Sequence, residues 1–298
     1  MKIEKPFFDF STLKRERVAD QCVCCGNSDI LRSPAILMPF VAHRVFDWEP
    51  VEITKDWELN TIKQGIAYSI CNSILCTNCS FLFLDIRFSE HELKKLYSDY
   101  RGKSYTELRE KYEPGYTLRN HNLNEKINYI DEIEHFISPH IPKNPKILDW
   151  GGHIGINTPF YGKAEGIFIY DISDNKTIPG TQKIMKTEIS NHYFDLVICS
   201  NVLEHTPYPS DITTEISKTL GKASKLYIEV PLEDLMLKNE DALHQKKKHW
   251  HEHINFFSEK SLISLLRNSG LKIEEINTVK TKIAGNEKYL LQVICSKA

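Results

Sequence analysis

From Lys146 onward the chain alternates short apolar runs with amphipathic ones. KILDW, GIFIYD, FDLVICSN and KLYIEVP are nearly continuous in apolar residues, the pattern of strands buried on both faces. SDITTEISKTL and SEKSLISLLRNSG instead repeat apolar residues at three- and four-residue intervals, which predicts helices with one buried stripe. A short strand is expected near KIMKT, and KIEEINTVKT and KYLLQVICS read as two final strands. Strands alternating with helices predict an α/β domain with a parallel sheet covered on both faces.

The first part of the chain has a different pattern. Up to about Phe83 it carries cysteines and short apolar runs, AILMPFVAHRVF and GIAYSICNSILC, broken by Pro, Asn and Gly, and it reads as a small β-rich module. SEHELKKLYSDY and LRNHNLNEKINYIDEIEHF then show helical spacing, and SPHIPKNPK, with three prolines, closes that stretch. The expected organisation is therefore a cysteine-bearing domain over 1–88, a helical connector over 89–144 and an α/β domain over 145–298.

Composition narrows the function. Formal net charge is only −2 over 298 residues, with both signs mixed along the chain. No basic face is offered to a polyanion, so nucleic acid is not expected as a partner. The first residues lack the apolar run of a signal peptide, and no later run approaches the roughly 20 residues that span a bilayer. A cytoplasmic protein without membrane association is expected, and its eight cysteines then read as metal ligands or core residues rather than disulfides.

LDWGGHIGIN carries the first candidate chemistry. Asp149 ends a strand, and Gly151, Gly152 and Gly155 form a turn whose backbone can approach a ligand closely, at the strand ends where open α/β sheets bind ligands. Asp171 ends the next strand about twenty residues later, where a carboxylate can accept hydrogen bonds from a ribose diol. Together with FDLVICSNVLEH at 194–205, these residues resemble the class I S-adenosylmethionine-dependent methyltransferases, over roughly Lys146 to Ser296. The resemblance implies a Rossmann-like seven-stranded sheet with its last strand antiparallel. It also implies a cofactor site built from Asp149, Gly151, Gly152, Gly155, Asp171 and Asn201. His153 stands where that family commonly has glycine, and Glu188 is the candidate for the acidic residue that contacts adenine.

Two CxxC pairs, Cys22 with Cys25 and Cys76 with Cys79, each have the spacing of a zinc knuckle. Cys24 and Cys71 adjoin them as alternative ligands, and reduced core cysteines are the competing account. Cys199 and Cys295, inside apolar strands, read as core. The paired knuckles followed by ILCTNCSFLFLDIRFSEHELKKLYSDY resemble the N-terminal zinc-binding domain of bacterial sugar C-methyltransferases. HWHEHINFFSEKSLISLLRNSG is similar to a His- and Glu-containing loop of the same family.

That resemblance implies a structural zinc ion and a small polar acceptor, such as a sugar, a nucleotide sugar or a surface-polysaccharide precursor. It places His205, Glu252 and His253 at catalytic positions, with Trp250 where the family has tyrosine. His244, His249, His251 and His253 crowd ten residues, and a histidine is suited to take the acceptor's proton. The same loop could instead be solvated, structural or a second metal site. Tyr97, Tyr100 and Tyr105 in the connector are further candidates for lining the site.

Overall fold

A computed structural model describes residues 8–57, 65–123, 126–173, 175–238, 242–283 and 286–298. The N-terminal part contains β1 (Ile30–Leu37), α1 (Pro39–Phe46), β2 (Val51–Ile53), β3 (Gly65–Ala67), β4 (Ile70–Cys76) and β5 (Leu82–Leu84). Four helices follow: α2 (Glu90–Tyr97), α3 (Lys103–Tyr112), α4 (Tyr116–Leu123) and α5 (Ile130–Ile137). The remainder runs β6 (Lys146–Trp150), β7 (Gly166–Tyr170), β8 (Gln182–Lys183), β9 (Leu196–Ser200), α6 (Pro209–Thr219) and β10 (Lys225–Leu232). It ends with α7 (Leu243–Lys246), β11 (His249–Trp250), β12 (Asn255–Phe256), α8 (Glu259–Asn268), β13 (Leu271–Ile283) and β14 (Asn286–Lys297).

The larger sheet has seven strands in the order β13-β14-β10-β9-β6-β7-β8. β6 to β10 are mutually parallel, and β14 runs antiparallel to β10 with Tyr227 opposite Ile294. This is the seven-stranded α/β sheet with an antiparallel last strand that the resemblance implies. Alternate residues of its strands supply two cores. Ile147, Ile169, Leu196, Ile198 and Tyr227 pack with Ile133 and Ile137 of α5 on one face. Leu148, Val197, Cys199 and Ile228 pack with Ile216 of α6 and Leu262, Leu265 and Leu266 of α8 on the other. Burial on both faces is why these strands read as continuous apolar runs.

The smaller sheet has five strands in the order β11-β1-β4-β5-β12. Its outer strands come from the far end of the chain: Leu37 pairs with Trp250, and Phe83 with Asn255. The segment after β10 is thereby stitched to the N-terminal sheet. The cysteine knuckle also shares a core with the larger sheet, since Cys22, Cys25, Cys76, Cys79, Phe10 and Phe81 belong to the cluster that holds Phe257 and α8.

One local expectation is corrected. AILMPFVAHRVF is not strand throughout: Pro39 stands at the start of α1, with its ring pre-set for helix, and Asp47 closes it in the left-handed conformation. α2 starts where Ser89 and Glu92 form a reciprocal capping box. Among the described residues, no helix is long and apolar enough to cross a membrane.

Candidate active site and cysteine cluster

The C-terminal ends of the parallel strands β6, β7, β9 and β10 lie along one edge of the larger sheet, where open α/β sheets form a crevice. Gly151 leaves β6 with φ +84°, and a Cβ there would come within 2.4 Å of Val202, so both the conformation and the space call for glycine. At Gly152 a Cβ would meet the Asp149 carboxylate at 2.6 Å. Asp149 is buried and accepts a hydrogen bond from Thr158 at 2.5 Å. Burial lifts its pKa to about 6, against the pull of Thr158, and the charge of Asp171 adds to the rise.

Asp171 accepts from the backbone N–H of His153 at 2.8 Å and of Ser173 at 2.7 Å. The carboxylate thus fixes the glycine turn while keeping lone pairs for a ligand. His153 itself has φ +53°, which explains why glycine suits the position, and its ring meets Asn175 at 2.8 Å. Asn201, also left-handed, follows β9 and donates to Ser200 and to the buried Glu229. Glu229 is a hub that accepts from Tyr129, Tyr227 and Gln292 as well. Glu188 caps the backbone N–H of Met185 in a short helical turn.

Across the crevice, segments distant in sequence converge. The rings of His205 and His253 lie 4.7 Å apart, edge to face. Nδ1 of His205 is 3.0 Å from the carbonyl oxygen of Glu252, which can only accept, so that nitrogen carries the proton; the Tyr97 hydroxyl sits 2.9 Å from it. Burial, joined by the positive side of His253, drops the His205 pKa to about 3, and the ring stays neutral. Nδ1 of His253 meets Glu233 at 2.7 Å. Burial opposes its charge, but the Glu233 hydrogen bond and the nearby Glu204 and Glu252 carboxylates outweigh that, and its pKa is raised.

Glu252 turns its carboxylate to Arg109 at 2.9 Å and Tyr105 at 3.2 Å, away from the His253 hydrogen bond. Its burial resists ionisation, yet Arg109 and the surrounding histidines bring the pKa down to about 2. Arg109, 1% exposed, also pairs with Glu113 at 3.0 Å and lies 4.2 Å over the Tyr116 ring. His251 hydrogen-bonds Glu113, and Tyr100 packs edge-on against His153. The connector therefore reaches the histidine pair through Tyr97 of α2, the glycine turn through Tyr100 just after it, and Glu252 through Tyr105 and Arg109 of α3.

The loop histidines do not share one strand face. His249 is exposed, His244 is buried elsewhere, and Trp250 is buried in the smaller sheet with its indole N–H donating to Ser73 at 2.8 Å. Arg109, Glu204 and Glu233 are not among the residues the sequence points to. Glu204 could have been, standing beside His205; Arg109 and Glu233 carry no local signal.

The four cysteines of the two CxxC pairs are buried and adjacent, with Cys22 and Cys79 sulfurs 3.6 Å apart and Cys25 and Cys76 sulfurs 3.6 Å apart. A tetrahedral zinc ion with Zn–S bonds of about 2.3 Å requires sulfurs about 3.8 Å apart, so the donor set fits. Hydrogen bonds led by Cys22 lower the Cys25, Cys76 and Cys79 thiols, while burial raises Cys22. Cys24 points to the carbonyl of Ser261, and Cys71 lies in a separate core; neither joins the four.

A family model described as a methyltransferase domain matches residues 120–276. Among solved structures, the chain is similar to an S-adenosylmethionine-dependent methyltransferase of Methanosarcina mazei, with 16% identity over 54% of this chain and 96% of that one, TM-score 0.40. It is also similar to the magnesium protoporphyrin IX methyltransferase of Synechocystis PCC 6803 with bound SAH, with 14% identity over 64% of this chain and 97% of that one, TM-score 0.42. No curated protein matches the chain.

Proposed function

Because the chain belongs to the methyltransferase-domain family, we propose that it transfers a methyl group from S-adenosylmethionine to carbon or oxygen of a small polar metabolite. The acceptor class is a sugar, a nucleotide sugar or a surface-polysaccharide precursor. The observation that carries this reading is the meeting of His205 and His253, linked to His153 of the glycine turn through Tyr97 and Tyr100 of the connector. The sequence resemblance to sugar C-methyltransferases supports the acceptor class.

In this reading the turn from Gly151 through Gly152 to Gly155 holds the amino-acid part of the cofactor, Asp149 supports the turn, and Asp171 accepts from the ribose. Asn201 lines the same edge. The sulfonium needs no activation, so the protein's work is alignment of the acceptor and removal of its proton. His253, held through Nδ1 by Glu233, takes that proton as the methyl group leaves sulfur, and S-adenosylhomocysteine remains. His205 orients the pair, and Glu252, fixed by Arg109, supplies negative charge nearby. Cys22, Cys25, Cys76 and Cys79 hold one structural zinc ion with every position filled, which braces the 1–88 module rather than entering the chemistry. Within 89–144, α2 and α3 cover the site of the 145–298 domain, and α5 packs against the face of its sheet.

Methyl transfer from labelled S-adenosylmethionine to a panel of nucleotide-linked sugars, followed by mass spectrometry, tests the reading. A labelled sugar is expected. Label transferred only to bulk RNA or to protein would overturn it.

A further inference from the structure

Glu204 is unexplained by the mechanism above. It is wholly buried, and among the described residues neither carboxylate oxygen has a hydrogen-bond partner. A buried carboxylate left in that state is costly, and such groups mark an ion or a catalytic role. Facing it at 3.8 Å is Nε2 of His205. Since Nδ1 of that ring donates to the Glu252 carbonyl, Nε2 carries a lone pair, and with Glu204 ionised two acceptors confront one another. Something positive belongs between them.

The third member is His253. One ligand atom each from Glu204, His205 and His253 lies within 4.8 Å of the others. Both rings are held through Nδ1, one by a backbone carbonyl and one by the Glu233 carboxylate. That is the outer support that metal-binding histidines almost always have, because it fixes the tautomer and aims the other nitrogen. An occupied tetrahedral nitrogen–oxygen site needs ligand atoms about 3.3 Å apart, so a modest closure of the three side chains would complete it. Two imidazoles and one carboxylate suit borderline divalent ions of the first transition row and leave coordination positions open.

We propose that Glu204, His205 and His253 bind one divalent first-row metal ion at the acceptor end of the crevice, separate from the cysteine cluster. The proposal rests on the reading above for the acceptor's location. An imidazole lone pair given to a metal cannot take a proton, so the ion competes with the base function of His253, and binding weakens as pH falls.

Cobalt(II) titrated into the full-length protein as purified tests this by visible absorption. One ion per chain is expected, with the weak bands of nitrogen and oxygen ligation and without the intense near-ultraviolet bands of thiolate ligation. Glu204→Gln, which keeps the side-chain volume, should weaken binding about tenfold or more, and Glu233→Gln, acting through His253, about 10–100-fold. Calorimetric binding of S-adenosylhomocysteine by both variants shows that the fold is intact. Failure of cobalt to bind outside the thiolates, or equal binding by Glu204→Gln, overturns the proposal. Turnover separates it from the base assignment. Cobalt bound with turnover suppressed supports both. Cobalt bound with turnover dependent on it upholds the site and removes His253 as base. No cobalt bound while His253→Ala abolishes turnover removes the site and upholds the base.

Discussion

The four thiols of the knuckles and the two imidazoles of the crevice are both built from good metal donors, but they are framed differently. Cys22, Cys25, Cys76 and Cys79 turn inward on one another in a core shared with α8, with no direction left for solvent or substrate. His205 and His253 are each tied through Nδ1, to a carbonyl and a carboxylate, and the second ring nitrogen of His205 faces the Glu204 carboxylate instead of a hydrogen-bond partner. Closure on all sides suits a brace, and tethering on one side suits a group that must exchange a proton or ligand. The same contrast predicts what each cluster does when it is altered.

The largest effect is expected at the thiols. Replacing Cys22 and Cys25 together by serine should remove the metal and unfold the smaller sheet, because a structural zinc ion contributes about 10–16 kcal/mol to folding. Elemental analysis and thermal unfolding would report it, and an unaltered melting curve would break the contrast. Next comes His253→Ala, which should reduce turnover about 10²–10⁴-fold while the protein melts normally and binds S-adenosylhomocysteine as before. If its melting temperature collapses instead, the imidazole is a brace too.

Asp171→Ala should weaken cofactor binding by about 1.5–3 kcal/mol for each ribose hydrogen bond lost, read by calorimetry. Unchanged affinity would remove Asp171 from the cofactor site. A smaller effect is expected in the pH profile. The raised pKa of His253 puts the acid limb of kcat above the ordinary imidazole value of 6.5, with activity lost as pH falls through it. Glu233→Gln removes the strongest support for the protonated ring and should move that limb toward acid; a limb that stays in place assigns it to another group. Least of all, Cys71→Ser should leave the zinc content unchanged, since Cys71 lies in another core.

How much of this could be read from the residues differs from element to element. KILDW, FDLVICSN and KLYIEVP announce their strands because burial on both faces leaves a local signature, and the glycine turn is legible because Gly151 and Gly155 meet a backbone demand, each with positive φ. α1 is hidden because Pro39 interrupts a strand pattern as readily as it starts a helix. β11 and β12 are two residues each and exist only through partners in β1 and β5, which no local periodicity can show. The same holds within the site. His205 and His253 could be named from their motifs, but Arg109 and Glu233 owe their places to packing between distant segments.

The pairing of Leu37 with Trp250 and of Phe83 with Asn255 has a consequence for biosynthesis. The N-terminal module leaves the ribosome before the larger sheet, yet two of the five strands in its own sheet are made only after β10. Until they arrive, β1 and β5 present open edges, and open edges invite pairing with other chains. Early metal capture by the cysteines would hold the nascent sheet in register during that wait.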